Sequence, residues 1–357
     1  MPFDFTQPSG RRAWIRQLLG PMDEAKWSEL SSELFKWQYP RVPAYRRLCL
    51  GRQTDPQDFK SWRDIPAVPQ QLFKREKLYC AGLPSPQAIY ETSGTTTGEP
   101  GRQYLSRTDI YRAVSFEGAR RAGFFVGNPQ LHFLVPSPLE APLSSLSAMF
   151  GFWQKAARQT GSRFWARQGQ FDFSPLRETL ACHIKAREPV ALCGTAFSFV
   201  HLLDAWADLP PLRLPRGSRL LETGGFKGRS REVSKPELYA QLSRLLGLSD
   251  DQIWNEYGMS ELSSQAYARG TTGLHFTPPW ARVIICDPAT GREVRPGQHG
   301  LVRWLDLANT DSVFALQTLD LAERTPEGFK LIGRMARTEP RGCSLGADDL
   351  ALAKTSH

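Results

Sequence analysis

The chain lacks the cysteine and histidine patterns of a structural metal site. Its six cysteines and six histidines are scattered along 357 residues, and no two cysteines have the Cys-x-x-Cys spacing. The cysteines are Cys49, Cys80, Cys182, Cys193, Cys286 and Cys343. This distribution argues against a zinc site or a disulfide framework. Free thiols are typical of proteins in a reducing cytosol.

The sequence also lacks long apolar runs and runs of basic residues. No apolar stretch is long enough to span a bilayer, and the N-terminal residues MPFDFTQPSGRR have no apolar core like that of a signal peptide. The net charge is +9, but it is dispersed, and no zinc-finger or RNA-recognition pattern accompanies it. We therefore expect a cytoplasmic protein with no membrane span and no nucleic-acid partner. The basic residues would be solvated at the surface, contact phosphate groups locally, or bind an acidic partner protein.

The composition is that of a globular protein with a large core. Hydrophobic residues make up 41% of the chain and charged residues 23%. Residues 131–135, 189–193 and 253–257 are predicted as buried strands, and helix-like segments separate them. From Ala281 onward, short β-like segments follow one another between Gly, Pro, Asn or Asp residues. This order predicts an α/β protein with a compact β-rich subdomain.

Residues 91–100, ETSGTTTGEP, form the most informative stretch of the sequence. Glycine permits close approach of the backbone, successive backbone N–H groups can form an anion-binding concavity, and hydroxyl groups add donors without bulk. The stretch is not a P-loop, because Gly98 is followed by Glu99 and Pro100 rather than by lysine. Two interpretations remain for this motif alone, a loop that grips nucleotide phosphates and an ordinary surface loop.

Three later segments carry polar residues where a ligand can bind. Tyr257 and Gly258 end a predicted strand, the position at which open α/β sheets place ligands, and Glu261 can supply carboxylate oxygens to Mg²⁺. Asp320 lies within an apolar strand and suits ribose hydroxyls. Arg334 can contact ribose or phosphate oxygens. The alternatives are a turn with an exposed glutamate, and a surface salt bridge for Asp320 and Arg334.

Together these segments resemble motifs of the adenylate-forming superfamily. They read TSGTTTG, YGMSE, TLD and GR, in the order of that superfamily. Further segments, including CGTAF, LLETGGFKGRSREVSKPELY, WNEYGMSELSSQAY and GRMARTEPRGCSL, resemble the acyl-protein synthetase family from about Pro66 to Leu350. The resemblance implies a core with mixed sheets flanked by helices and a smaller β-rich subdomain. It also implies that the mobile C-terminal domain of larger members is reduced to a short tail.

The resemblance further implies ATP and Mg²⁺ as cofactors and assigns residues to them. Glu261 is the expected metal ligand. The expected ATP-binding residues are Thr92, Ser93, Gly94, Thr95, Thr96, Thr97, Gly98, Gly224, Gly225, Asn255, Glu256, Tyr257, Gly258, Asp320 and Arg334. Aromatic side chains are candidates for the wall of an acid-binding pocket, although such residues are usually core. The candidates we name are Phe150, Phe152 and Phe197.

The sequence departs from the superfamily pattern in the phosphate loop and in its lysines. Three threonines separate Gly94 from Gly98 where two residues are usual, and Gly101-Arg102 stands where a lysine is usual. We hypothesise that Lys227 or Arg229, in the segment GGFKGR, helps to replace the lysine of the absent domain by stabilising charge on the phosphate oxygens. The alternative is a lysine in a surface loop.

The resemblance implies a thioester on a cysteine near the C-terminus. Cys343 matches this position, and arginines at 337 and 341 would favour its thiolate form. The alternative is an incidental cysteine. The expected activity is ATP-dependent formation of an acyl-adenylate from a carboxylic acid, here a fatty acid. Transfer to Cys343 and then to an acceptor, a reductase or a carrier protein, would follow.

Two other functions stay open at this point. One is a ligase that delivers the acyl group to CoA or a carrier protein without self-acylation, and the other is a catalytically silent nucleotide-binding subunit. The predicted segments are an N-terminal helical segment (1–65), an α/β adenylation core (66–278), a β-rich subdomain (279–335) and a tail with the cysteine (336–357).

Overall fold

The computed structural model describes residues 3–58, 60–92, 99–157, 159, 161–224 and 233–335. The chain divides into two compact units. The first comprises Met1–Ser115, Met259–Ser264 and Phe276–His357, and the second comprises Phe116–Gly258 and Gln265–His275. The segment boundaries predicted after residues 65, 278 and 335 stay a prediction.

The described residues contain both helices and strands. The helices are α1 (Pro8–Leu19), α2 (Glu24–Gln38), α3 (Pro43–Gly51), α4 (Leu72–Arg75), α5 (Asp109–Arg121), α6 (Ser145–Ala157), α7 (Phe173–Ala186), α8 (Ala196–Ala205) and α9 (Lys235–Leu246), with short 3-10 helices at Trp62–Asp64, Asp250–Gln252 and Gly270–Thr272. In the described ranges, none of these helices combines the length and the apolar character that a bilayer-spanning helix requires.

The strands fall into a middle group and a C-terminal group along the chain, with short strands before them. They are β1 (Val68–Pro69), β2 (Ala88–Glu91), β3 (Arg102–Leu105), β4 (Gln130–Pro136), β5 (Arg163–Arg167), β6 (Gln170–Phe171), β7 (Val190–Thr195), β8 (Arg219–Thr223), β9 (Ile253–Tyr257), β10 (Ala266–Arg269), β11 (Leu274–Phe276), β12 (Ala281–Cys286), β13 (His299–Asp306), β14 (Ala315–Arg324) and β15 (Phe329–Arg334).

Helix α2 illustrates how the sequence determines local structure. The Asp23 side chain caps the helix by accepting a hydrogen bond from the Lys26 backbone N–H at 2.7 Å. Trp27, Leu30 and Leu34 recur at helical spacing and are fully buried. The capping aspartate and the spacing of the apolar residues therefore account for this helix.

The second unit is built on a mixed sheet. Its strand order is β11-β10-β9-β8-β7-β4-β5-β6. Strands β9, β8, β7, β4 and β5 run parallel, whereas β10 and β6 are antiparallel to their neighbours. Helices α6, α8 and α9 connect successive parallel strands, so the carboxyl ends of these strands lie at one edge of the sheet.

The core of the second unit lies between the parallel strands and their helices. Leu192, Leu220 and Ile253 lie side by side in register on β7, β8 and β9. All three are fully buried, and they belong to one apolar cluster with Val200 of α8 and Leu242 of α9. This row of side chains fixes the register of the parallel strands, because a slip of one residue would turn it to the other face.

The first unit carries the β-rich section that the sequence predicts from Ala281 onward. Strands β12, β13, β14 and β15 form an antiparallel sheet in chain order, and β1 adds to β14 in parallel. A separate hairpin joins β2 to β3. The strand-rich prediction is confirmed by these four consecutive strands.

A buried ion cluster ties α1 to the rest of the first unit. The Arg11 side chain is 1% exposed and lies 2.9 Å from Asp109 and 2.7 Å from Asp311. The second oxygen of Asp311 accepts hydrogen bonds from the backbone N–H and the hydroxyl of Ser106, each at 2.7 Å. Every charged group in the cluster therefore has a partner, which a buried charge requires.

We predict that Asp311→Asn destabilises the protein by about 3 kcal/mol, because it leaves the buried Arg11 charge without its closest counter-ion. The shift in the urea unfolding midpoint measures this effect. The control is Asp58→Asn, which changes an exposed aspartate of the same unit and should shift stability by less than about 0.5 kcal/mol. Equal shifts for the two variants would contradict the prediction.

Candidate functional site

The carboxyl edge of the parallel sheet in the second unit carries several predicted ATP-binding residues. Glu256 and Tyr257 end β9, and Gly224 directly follows β8. In register, Thr223 lies beside Glu256, and its hydroxyl donates a hydrogen bond to the Glu256 carboxylate. The structure thus places these residues where open α/β sheets bind their ligands.

Glu256 is held in an unusual protonation environment. Its side chain is buried, and this burial raises its pKa to about 7, assisted by the nearby charge of Glu222 and opposed by the hydrogen bond from Thr223. Gly258 lies close beside it, and a Cβ at this position would be 2.5 Å from a Glu256 carboxylate oxygen, so a larger residue would displace that carboxylate. The strand end is therefore shaped around a carboxyl group that titrates near neutral pH.

Asn255 is part of a buried polar network that the sequence analysis missed. Its amide nitrogen lies 2.6 Å from Glu222 Oε2, and its Oδ1 lies 2.7 Å from His275 Nε2. His275 Nδ1 in turn lies 2.9 Å from the carbonyl oxygen of Gly273. Both ring nitrogens thus lie within hydrogen-bonding distance of an oxygen atom, and His275 joins the network through Asn255.

Glu222 is the negative centre of this network. Its side chain is fully buried. Its Oε2 also accepts a hydrogen bond from the Tyr239 hydroxyl at 2.9 Å and lies 3.4 Å from Lys235 Nζ. A glutamate at the end of the apolar run Leu220-Leu221 was a visible sequence signal for a functional or paired carboxylate. Nothing local in the sequence marked His275 as a member of this network, which it joins through Asn255.

The glycine- and threonine-rich loop at residues 92–98 is described only at its ends. Thr92 donates its backbone N–H to the Gly101 carbonyl at 2.8 Å, and its hydroxyl accepts from the Gly101 N–H at 3.0 Å. This pair closes the hairpin of β2 and β3. The candidates Ser93, Gly94, Thr95, Thr96, Thr97 and Gly98 lie outside the described residues, and so do Gly225, Lys227, Arg229 and Cys343.

In the first unit, three predicted site residues are linked by hydrogen bonds and an ion pair. Asp320 of β14 pairs with Arg334 of β15, and Arg334 Nε lies 3.8 Å from Asp320 Oδ1. Arg334 Nη2 donates to Gln70 Oε1 at 2.9 Å, and Gln70 Nε2 donates to Glu261 Oε1 at 2.9 Å. Gln70 lies outside the sequence motifs described above. We call Gln70, Glu261, Asp320 and Arg334 the carboxylate–arginine group.

The segment that carries Glu261 is fixed by buried side chains at the end of β13 and in the loop that follows it. Asn309 Nδ2 donates to the Glu261 carbonyl at 2.9 Å. Asp306 accepts the backbone N–H groups of Ser263 and Ser264 at 2.9 and 2.8 Å. Glu261 itself is 3% exposed. Burial raises its pKa, whereas the hydrogen bond from Gln70 and the charge of Arg334 oppose that rise.

Glu261 fits the requirements of a magnesium ligand. The described residues contain no group of three or more His, Cys, Asp or Glu side chains able to enclose a metal ion. Mg²⁺ is usually held by one or two carboxylates together with the phosphates of its substrate. The buried Glu261 carboxylate, linked to Arg334 through Gln70, is of the chemical type that Mg²⁺ takes as a ligand when it arrives with a nucleotide.

The aromatic candidates for the acid pocket differ in their exposure. Phe150 is fully buried and stacks on Phe133, with ring centroids 4.9 Å apart, so it is part of the core. Phe152 and Phe197 are half-buried. The Phe197 ring packs edge-on against His201 at the start of α8. Phe152 and Phe197 thus keep partly exposed faces, and Phe150 does not.

Comparisons with known proteins identify relatives of this chain. No family model matches it. It is 22% identical to the long-chain-fatty-acid–luciferin-component ligase of Aliivibrio fischeri over 337 residues, which cover 89% of this chain and 86% of the relative. It is also 22% identical to the enzyme of that name from Vibrio harveyi over 347 residues, with 92% and 88% covered. The predicted resemblance to the acyl-protein synthetases is confirmed.

Solved structures confirm the predicted fold class. A 2-hydroxyisobutyryl-CoA ligase in complex with 2-HIB-AMP and CoA matches with a TM-score of 0.70 and 17% identity, over 94% of this chain and 76% of that one. The same ligase in its postadenylation state with R3-HIB-AMP matches with a TM-score of 0.67 and 17% identity, over 99% and 80%. The chain thus has the α/β fold of this ligase.

We predict that Glu256→Gln removes a pH-dependent loss of stability. The pKa of Glu256 is raised in the folded state, so the protonated acid is favoured there and stability falls as pH rises from about 4.5 to about 7. The variant should be more stable than the parent by about 3 kcal/mol at pH 8, with the difference vanishing near pH 4.5. Urea unfolding at several pH values measures this.

The matched control for this prediction is Glu178→Gln, which changes an exposed glutamate of α7. It should leave the pH dependence of the parent unchanged. A stability difference between Glu256→Gln and the parent that is the same at pH 4.5 and pH 8 would show that Glu256 does not titrate as described.

Proposed function

We propose that this chain, a relative of the long-chain-fatty-acid–luciferin-component ligases, activates a fatty acid with ATP. A carboxylate oxygen of the acid attacks the α-phosphorus of ATP, the bond from that phosphorus to the bridging oxygen breaks, and pyrophosphate leaves. The products are an acyl-adenylate and pyrophosphate. The observation that carries the proposal is the carboxylate–arginine group, because it joins residues of three separate predicted motifs through direct contacts.

The residues of this group suit different parts of a nucleotide. The Asp320 carboxylate can accept hydrogen bonds from ribose hydroxyls, and the Arg334 guanidinium can donate to ribose or phosphate oxygens. Glu261 would hold Mg²⁺, which, when bound, neutralises negative charge on the phosphates. The Arg334 side chain is 57% exposed, so it is accessible to a ligand. Gly224, Asn255, Glu256, Tyr257 and Gly258 keep the ATP-binding assignment that the resemblance implies.

The proposed second step makes a thioester on Cys343. The thiolate attacks the acyl carbon of the adenylate, the bond from that carbon to the phosphate oxygen breaks, and AMP leaves. The acyl group then passes to an acceptor such as a reductase or a carrier protein. An alternative within the same class is direct transfer to CoA, the acceptor present in the 2-hydroxyisobutyryl-CoA ligase complex of similar fold.

Mass spectrometry of the intact protein tests these steps together. The protein is incubated with ATP, Mg²⁺ and fatty acids of several chain lengths, with and without CoA. A covalent acyl adduct that needs both ATP and acid supports the thioester. Acyl-CoA formed without any adduct would favour direct transfer to CoA.

We predict that Cys343→Ser still forms acyl-adenylate but loses the acyl-protein adduct, because the serine hydroxyl is a far weaker nucleophile than a thiolate. Liquid chromatography follows the adenylate, and intact mass follows the adduct. The control is Cys182→Ser, since Cys182 is an exposed free cysteine. An adduct that persists in Cys343→Ser would rule out self-acylation at this residue.

We predict that Lys227→Ala slows adenylate formation on the order of 100-fold, because a cation beside the reacting phosphate stabilises charge that develops in the transition state. Acid-dependent exchange of pyrophosphate into ATP measures this rate. Lys185→Ala, which changes an exposed lysine of α7, should exchange at the parent rate. Unchanged exchange in Lys227→Ala would show that this lysine takes no part in adenylate formation.

A further inference from the structure

Gln70 lies at a fixed point beside the sheet of the first unit. It directly follows β1, whose Pro69 is in register with Gln317 of β14. The Gln70 backbone N–H donates to the Gln317 carbonyl at 2.9 Å. The same strand carries Asp320 three residues further along. The backbone of Gln70 is therefore anchored to the strand that supplies one of the predicted nucleotide-binding residues.

The chemistry of its two partners determines the orientation of the Gln70 amide. The Glu261 carboxylate only accepts hydrogen bonds, and the Arg334 guanidinium only donates them. A primary amide offers one group of each kind, and each bond measures 2.9 Å. Both bonds involve a charged group, so each is stronger than a bond between neutral groups. Neither a carboxylate nor an ammonium group at position 70 could serve both partners.

Arg334 depends on this contact for its position. Its guanidinium lies 2.9 Å from Gln70 Oε1 but 3.8 Å from the Asp320 carboxylate. Long exposed side chains lose considerable rotamer entropy when they are ordered. A short bond to an anchored amide therefore sets the direction in which the arginine points. The same amide fixes one oxygen of the buried Glu261 carboxylate.

We infer that Gln70 is a positioning residue for nucleotide binding, because it holds the Glu261 carboxylate and the Arg334 guanidinium in one fixed relative arrangement. The inference rests on the proposed function, since it takes Glu261 as the Mg²⁺ ligand and Arg334 as a contact to ribose or phosphate. It adds a residue from a fourth segment, remote in sequence from the recognisable motifs. Gln70 itself need not touch the nucleotide.

Equilibrium binding of ATP in the presence of Mg²⁺ tests the inference by calorimetry. Gln70→Met keeps the volume of the half-buried side chain but provides neither the donor nor the acceptor. We expect it to weaken MgATP binding by about tenfold, because two hydrogen bonds to charged groups are lost. Gln70→Asn should show the same loss, since the shorter side chain cannot reach both partners.

A double-mutant cycle with Arg334→Met separates positioning from general support of the fold. If Gln70 acts through Arg334, the double variant should bind MgATP at least threefold more tightly than the product of the single losses predicts. Gln71→Met is the control. Gln71 is the neighbouring half-buried glutamine, whose side chain does not cap α4. This variant should bind like the parent.

The possible outcomes separate this inference from the proposed function. Parent-like MgATP binding by Gln70→Met and Gln70→Asn would overturn the positioning role. So would a loss of MgATP affinity in the double variant equal to the product of the losses in the two single variants. Circular dichroism melting of each variant shows whether a loss of binding comes from unfolding instead. A parent protein that binds no MgATP would overturn the proposed function, and this inference with it.

Discussion

The first unit is organised around the buried segment 306–311, which runs from the last residue of β13 into the loop before β14. Asp306 has no exposed surface, and its carboxylate accepts the backbone N–H groups of Ser263 and Ser264. Asn309, also fully buried, donates to the Glu261 carbonyl. Burying these groups would be costly if they were not hydrogen-bonded. These hydrogen bonds therefore hold the Met259–Ser264 segment in one place. They also hold the Glu261 carboxylate, which we propose as the Mg²⁺ ligand.

The N-terminal helices are attached to the same loop. The buried Arg11 of α1 forms an ion pair with Asp311. The Trp14 ring N–H donates a hydrogen bond to the Leu307 carbonyl at 2.8 Å. Gln38 of α2 donates to the Asn309 carbonyl at 2.7 Å. Helices remote in sequence from the predicted site thus support it through a single loop. Because the contacts share partners, the energetic effects of mutating them should not be additive.

The sequence predicted the elements well because their signals are local. The helical spacing of apolar residues and a capping aspartate indicate α2. Short apolar runs bounded by turn residues indicate the parallel strands and the β-rich section. The sequence also indicated Glu261, Asp320 and Arg334, because each lies in a short motif. It did not reveal Gln70 or His275, since their partners are set by packing between distant segments rather than by neighbours in the chain.

Acid-dependent exchange of labelled pyrophosphate into ATP is the sharpest measurement of whether this chain forms an acyl-adenylate. Exchange reports reversal of the adenylation step alone, so it does not depend on the acceptor or on Cys343. With Mg²⁺ and a panel of fatty acids, we expect exchange that requires an acid and varies with its chain length. If folded protein binds ATP but shows no exchange with any acid, the chain does not form acyl-adenylates from these acids.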